Sequence, residues 1–100
     1  MRRKSLNLIW GTELKELGYV YKNANFFSKR YKKHILCINY DLMGYILMFR
    51  VLRIDAINRT KNVKQIDIKD MTSLTQIGFF GMVKKIENEF KIFIDNEYDN

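Results

Sequence analysis

The densest concentration of chemically active side chains in the sequence is Lys29-Arg30-Tyr31-Lys32-Lys33-His34, with Lys22 upstream and Tyr19, Tyr21, Phe26 and Phe27 interleaved. Cations that displace counterions from phosphates, beside rings on which bases stack, are what nucleic-acid binding requires. Arg50, Arg53, Arg59, Lys61 and Lys64 extend the cluster if strands bring them alongside. The expected anion-binding set is therefore Lys22, Lys29, Arg30, Tyr31, Lys32, Lys33, Arg50 and Arg53. A solvated lysine-rich surface is the competing reading of the same residues.

Catalytic and metal chemistry find less support. His34 is the sole histidine and Cys37 the sole cysteine, too few for a zinc shell, and His34 reads as a surface or strand-edge residue. Cys37 lies in Ile35-Leu36-Cys37-Ile38, where a buried inert thiol is expected, and Ser5, Ser28 and Ser73 have no base nearby in sequence. Asp67 with Asp70, and Glu87 with Glu89, fall in charged segments whose carboxylates serve solubility. No glycine-rich phosphate loop is present. Gly78-Phe79-Phe80-Gly81 has the spacing of the Gly-x-x-Gly loop of KH domains, but two phenylalanines occupy the positions that approach phosphate. The expectation is no enzyme, no cofactor and no metal, with the two glycines letting another element pack closely.

The elements that must position these residues follow from periodicity. Leu6, Ile9, Trp10, Leu14 and Leu17 recur at the helical period, with Ser5 to cap the start and Gly18 to close the end. Aromatic-rich runs at 19–22 and 26–31 surround Asn23-Ala24-Asn25, a hairpin signal. A stronger hairpin pairs 35–40 with 45–54 across Asp41-Leu42-Met43-Gly44, where Asp41 starts the turn and Gly44 supplies positive φ. A polar connection at 58–62 precedes an edge strand at 63–69, with Ile66 and Ile68 inward and Gln65, Asp67 and Lys69 outward. Asp70 or Thr72 then caps a second helix whose stripe is Phe79, Val83, Ile86, Phe90 and Phe93, ending near residue 94 and followed by a frayed acidic tail, 95–99. The expected fold is α+β: a helix, an antiparallel sheet of three to five strands and a helix, with both helices on one face.

Both alternating faces of residues 45–54 are largely apolar, which predicts an interior strand whose second face also needs cover. Association through that face, around Met48 and Leu52, is the alternative function: a protein-interaction module or homodimer.

Composition bounds the rest. With 47% hydrophobic and 14% aromatic residues, the 100-residue chain can build one domain over 1–100. A single cysteine suits a reducing cytoplasm, the longest uncharged apolar-rich stretch, 42–49, is too short to span a membrane, and the basic start is followed by no signal-peptide core. Ile, Lys and Asn make up 33 residues against two alanines and no proline, the bias of a low-GC genome. The net charge of +7 divides into 14 Lys/Arg against 4 Asp/Glu over residues 1–64, and 4 against 7 over 65–100. A basic front with an acidic back predicts a field that draws an anionic partner to one side.

Leu14-Lys15-Glu16-Leu17-Gly18-Tyr19 leading into aromatic hairpins, then Ile66-Asp67-Ile68 entering a last amphipathic helix, resembles the small accessory proteins of bacteriophages and mobile elements in low-GC bacteria. That resemblance implies a setting in which some similar proteins inhibit host defence, including anti-CRISPR proteins that bind an effector nuclease or its nucleic-acid channel. The implied partner is a nucleic acid or a nucleoprotein. The helix, strands, helix order is also that of double-stranded RNA-binding domains, but Lys84-Lys85 comes a dozen residues into the last helix instead of at its start.

Overall fold

The computed structural model describes residues 4–43, 45–69 and 75–98. Helix α1 spans Leu6–Glu16, followed by strands β1 (Val20–Asn23), β2 (Phe26–Tyr31), β3 (His34–Asp41), β4 (Ile46–Ile54) and β5 (Thr60–Lys69), and helix α2 (Gln76–Tyr98). The five strands form one antiparallel sheet in sequence order, so each hydrogen-bonds to its chain neighbour.

Alternation along the strands sorts side chains cleanly. Phe27, then Leu36, Ile38 and Tyr40, then Leu47, Phe49 and Val51 all point to one face and are buried. Both helices cover that face: Leu6, Trp10 and Leu14 of α1 join Phe79, Val83, Ile86, Phe90 and Ile94 of α2 in the same core. Each such side chain, fully buried, contributes about 1.5–3 kcal/mol relative to exposure. Trp10 stacks flat on Phe79, with ring centroids 4.3 Å apart, which joins the helices to each other.

Local signals place the helices. Ser5 Oγ accepts from the Leu8 N–H at 3.3 Å, and Asn25 Oδ1, from the β1–β2 turn, accepts from the Leu6 N–H at 2.9 Å, so two N-terminal donors of α1 are satisfied and the helix is tied to the sheet. Gly18 follows α1 at φ +91°, where a side chain would be strained.

Several expectations need correction. Strand β5 begins at Thr60 instead of residue 63, because pairing with β4 continues past a bulge opposite Val51 and Leu52. Helix α2 continues through Tyr98, not to about 94: Ile94 is buried while Ile92 is 53% exposed, which helical geometry allows and a strand with 90, 92 and 94 on one face does not. Residues 95–98 are thus helical, not a frayed tail. His34 is not at the surface but 2% exposed. Gly81 packs against nothing, since a Cβ there would meet no atom within 4 Å. The proposed caps Asp70 and Thr72, and the turn glycine Gly44, lie outside the described residues; Tyr45 beside it adopts positive φ, 53°.

Candidate functional site

The expected cationic cluster is divided by the same alternation that builds the core. Lys29 and Tyr31 point to the helix side. There Lys29 Nζ sits 3.2 Å from Glu87 Oε1 and donates to the Leu17 carbonyl at 2.9 Å. Tyr19 donates its hydroxyl to the same Glu87 oxygen at 2.9 Å, and Lys91 approaches Oε2 at 3.1 Å. Burial pushes the Glu87 carboxyl up, but hydrogen bonds from Lys91, Tyr19 and Lys29 outweigh it and hold the group below its ordinary value. Burial, reinforced by Glu87, pushes the Tyr19 hydroxyl well above its ordinary value, so it stays a donor.

The last turns of α2 engage three more members. Tyr31 donates its hydroxyl to Asp95 at 2.8 Å, Lys32 pairs with the same carboxylate, and Arg53 pairs with Glu97, which also lies 3.1 Å from His34 Nε2. Hydrogen bonds from Lys32 and then Tyr31 hold Asp95 below its ordinary value. Cations at a helix C-terminus also meet the negative end of its dipole.

The remaining members lie elsewhere. Lys22 is exposed on β1 toward the β1–β2 turn, at the opposite end of the sheet from the Lys32-Lys33 turn. Arg30 and Arg50 point to the opposite face, which carries no helix among the described residues. The cluster is therefore not one continuous surface: Lys29, Tyr31, Lys32 and Arg53 are drawn to α2, Arg30 and Arg50 to the opposite face, and Lys22 and Lys33 to opposite ends.

That opposite face forms ordered rows across the sheet. Phe26, Asn39, Met48 and Asp67 make one row; Ser28, Cys37, Arg50 and Gln65 the next; Arg30, Ile35, Leu52 and Asn62 a third. Phe26, Ile35, Met48 and Leu52 are half-buried by their neighbours alone and take no part in the core beneath the helices. Met48 and Leu52, expected as an interface pair, flank Arg50 on one strand. Arg50 donates to Asn39 Oδ1 at 2.6 Å, while its Nε is enclosed without an acceptor among the described residues. Burial pushes the Cys37 thiol up and the neighbouring Arg50 pulls it down; the net shift is upward, and the thiol stays protonated.

At the end of the sheet where the β2–β3 turn meets the β4–β5 loop, two depressions adjoin. One, about 180 Å³, is lined by Lys33, His34, Arg53, Ile54 and Glu97; the other, about 300 Å³, by Arg30, Lys33, Ile54, Asp55, Ala56 and Asn58. Asp55 organises this loop by accepting from the Arg59 and Ile57 N–H groups, bonds that hold its carboxyl below the ordinary value.

Sequence reasoning did not find the carboxylates of α2 as partners of the cations, because contacts between residues 44 to 63 positions apart leave no local signal. It also missed Phe26, Ile35 and Asn39 as neighbours of Met48 and Leu52; Asn39, polar within an apolar strand, was the available clue. Among the described residues no three His, Cys, Asp or Glu side chains are grouped to hold a metal ion, and no helix is long and apolar enough to cross a membrane. Comparison with protein-family models, curated proteins and solved structures found no match.

Proposed function

We propose that this chain is a non-enzymatic binding protein that docks a partner protein on the helix-free face of its sheet. One observation carries the reading: Phe26, Ile35, Met48 and Leu52 form an apolar group on that face, separate from the core and covered by no described element. Apolar side chains left partly exposed beside polar ones suit an interaction surface; Asn62, Gln65 and Asp67 of β5 border these four, and Asn39 lies between Phe26 and Met48. Among the described residues the strand rows of this face hold a single aromatic ring, Phe26, and two of the eight expected anion-binding residues, Arg30 and Arg50, which favours protein over nucleic acid. An accessory protein that blocks a host-defence complex by occupying a protein surface would use a face of this kind.

A second reading, docking on nucleic acid or a nucleoprotein, is favoured by one feature. Arg30, Lys33 and Arg53 converge on the adjoining depressions at the sheet end, although Asp55 and Glu97 share the lining.

Affinity capture from expressing cells separates the two readings, with the whole chain as bait, wild type against Met48→Lys, with and without nuclease. The docking reading expects a protein retained after nuclease by the wild type and absent from the variant. Retention by both baits, or release by nuclease, overturns it.

A further inference from the structure

We infer that Arg50 is the anchor of this docking face and that it receives a side-chain carboxylate presented among apolar residues of the partner, an inference that rests on the protein-docking reading above. Charge sets Arg50 apart from the other cations. Lys29, Lys32, Arg53 and Arg59 each have a carboxylate within ion-pair distance. Among the described residues Arg50 has none. Its one side-chain bond is to a neutral amide oxygen, and its Nε is enclosed without an acceptor.

Neighbouring groups do not make up the difference. Cys37, directly across the strand, carries no charge because burial keeps its thiol protonated. Asp67 lies one row away on β5, where its carboxylate accepts from Gln65 Nε2 at 2.9 Å. A guanidinium carries its donors in a planar fork, and with Nε enclosed the terminal pair Nη1 and Nη2 is the edge left to meet a carboxylate in two parallel bonds. Held among Met48, Leu52 and Ile35, such a group is partly stripped of water, and an opposing carboxylate would restore its partner where solvent is excluded. Arginine is among the residues enriched at strong interface anchors, which sit where water is excluded. The apolar neighbours Met48, Leu52 and Ile35 speak for a protein carboxylate over a phosphate, and the net charge of +7 opposes a second copy of the same chain.

Selection from a displayed library of random dodecapeptides against the whole immobilised chain tests this. The expected winners carry Asp or Glu between apolar residues. A synthesised winner should bind Arg50→Met at least about tenfold more weakly, and Arg50→Lys also more weakly, since a point charge lacks the fork. Replacing the peptide's acid with its amide should cost as much, with no further loss when both changes are combined. Circular dichroism and melting of Arg50→Met check the fold, with Arg50→Gln in reserve.

Acid-free winners, binding within twofold on both Arg50 variants, or no enrichment overturns the inference. So does Arg50-dependent binding only to oligonucleotides or only to a second copy in sedimentation. Peptides lost on Met48→Lys but indifferent to Arg50 would leave the docking face standing and remove its anchor. Indifference to both would remove the face as well.

Discussion

At the scale of single residues, the cations that sequence groups together have different fates. Glu87 illustrates the difference. It gathers Lys29, Lys91 and Tyr19 in a site where its side chain is 16% exposed, so these groups hold α2 against the sheet instead of facing solvent. Glu87→Gln should cost about 1–3 kcal/mol in urea unfolding at neutral pH, the usual scale for disrupting a buried charged hydrogen bond. The folded carboxyl titrates below its ordinary value of 4.5, so its contribution is complete above that value and disappears as pH falls through the folded one. The gap between wild type and variant should therefore close in acid. A gap that persists unchanged to pH 3 would assign the loss to packing instead. None of this was legible in the sequence, where Glu87 and Glu89 look alike; only the fold distinguishes the one that faces Lys29.

At the scale of elements, much was legible. The helical stripe of α1, the hairpin of β3 with β4, and the edge position of β5 follow from periods of 3.6 and 2 that the fold obeys. Ends were harder to read. The run 90–94 satisfies both periods, and only burial of Ile94 with exposure of Ile92 decides for helix. The bulge that lets β5 begin at Thr60 has no sequence mark. Gly81 was expected to admit a close neighbour, yet it lies on the exposed side of α2 with open space around it. Gly81→Ala should therefore stabilise the protein by about 0.5–1 kcal/mol, through the lower cost of ordering alanine in a helix. Thermal unfolding would register this as a rise of a few degrees. A fall would mean that something packs on that position after all.

At the scale of the whole molecule, the imbalance of charge between front and back does not survive folding as a simple polarity. Helix α2 lays Glu87, Asp95 and Glu97 over the helix side of the sheet, against Lys29, Lys32 and Arg53 from the basic half. Two sequence segments of opposite sign thus become partners within one layer. Among the described residues the sheet has helices on one side only, and the apolar second face of β4 is left to its neighbours. The sequence pattern of residues 45–54 announced that face but not what would meet it, because only the full register across β2 to β5 reveals its neighbours. Photocrosslinking in expressing cells is the decisive measurement of docking on this face, with a photoreactive phenylalanine analogue replacing Met48 in one chain and Lys85, on the exposed side of α2, in another. Docking on the helix-free face should give an adduct to a distinct partner protein from position 48 and none from position 85. An adduct from 85 alone, or from 48 to nucleic acid alone, would contradict it.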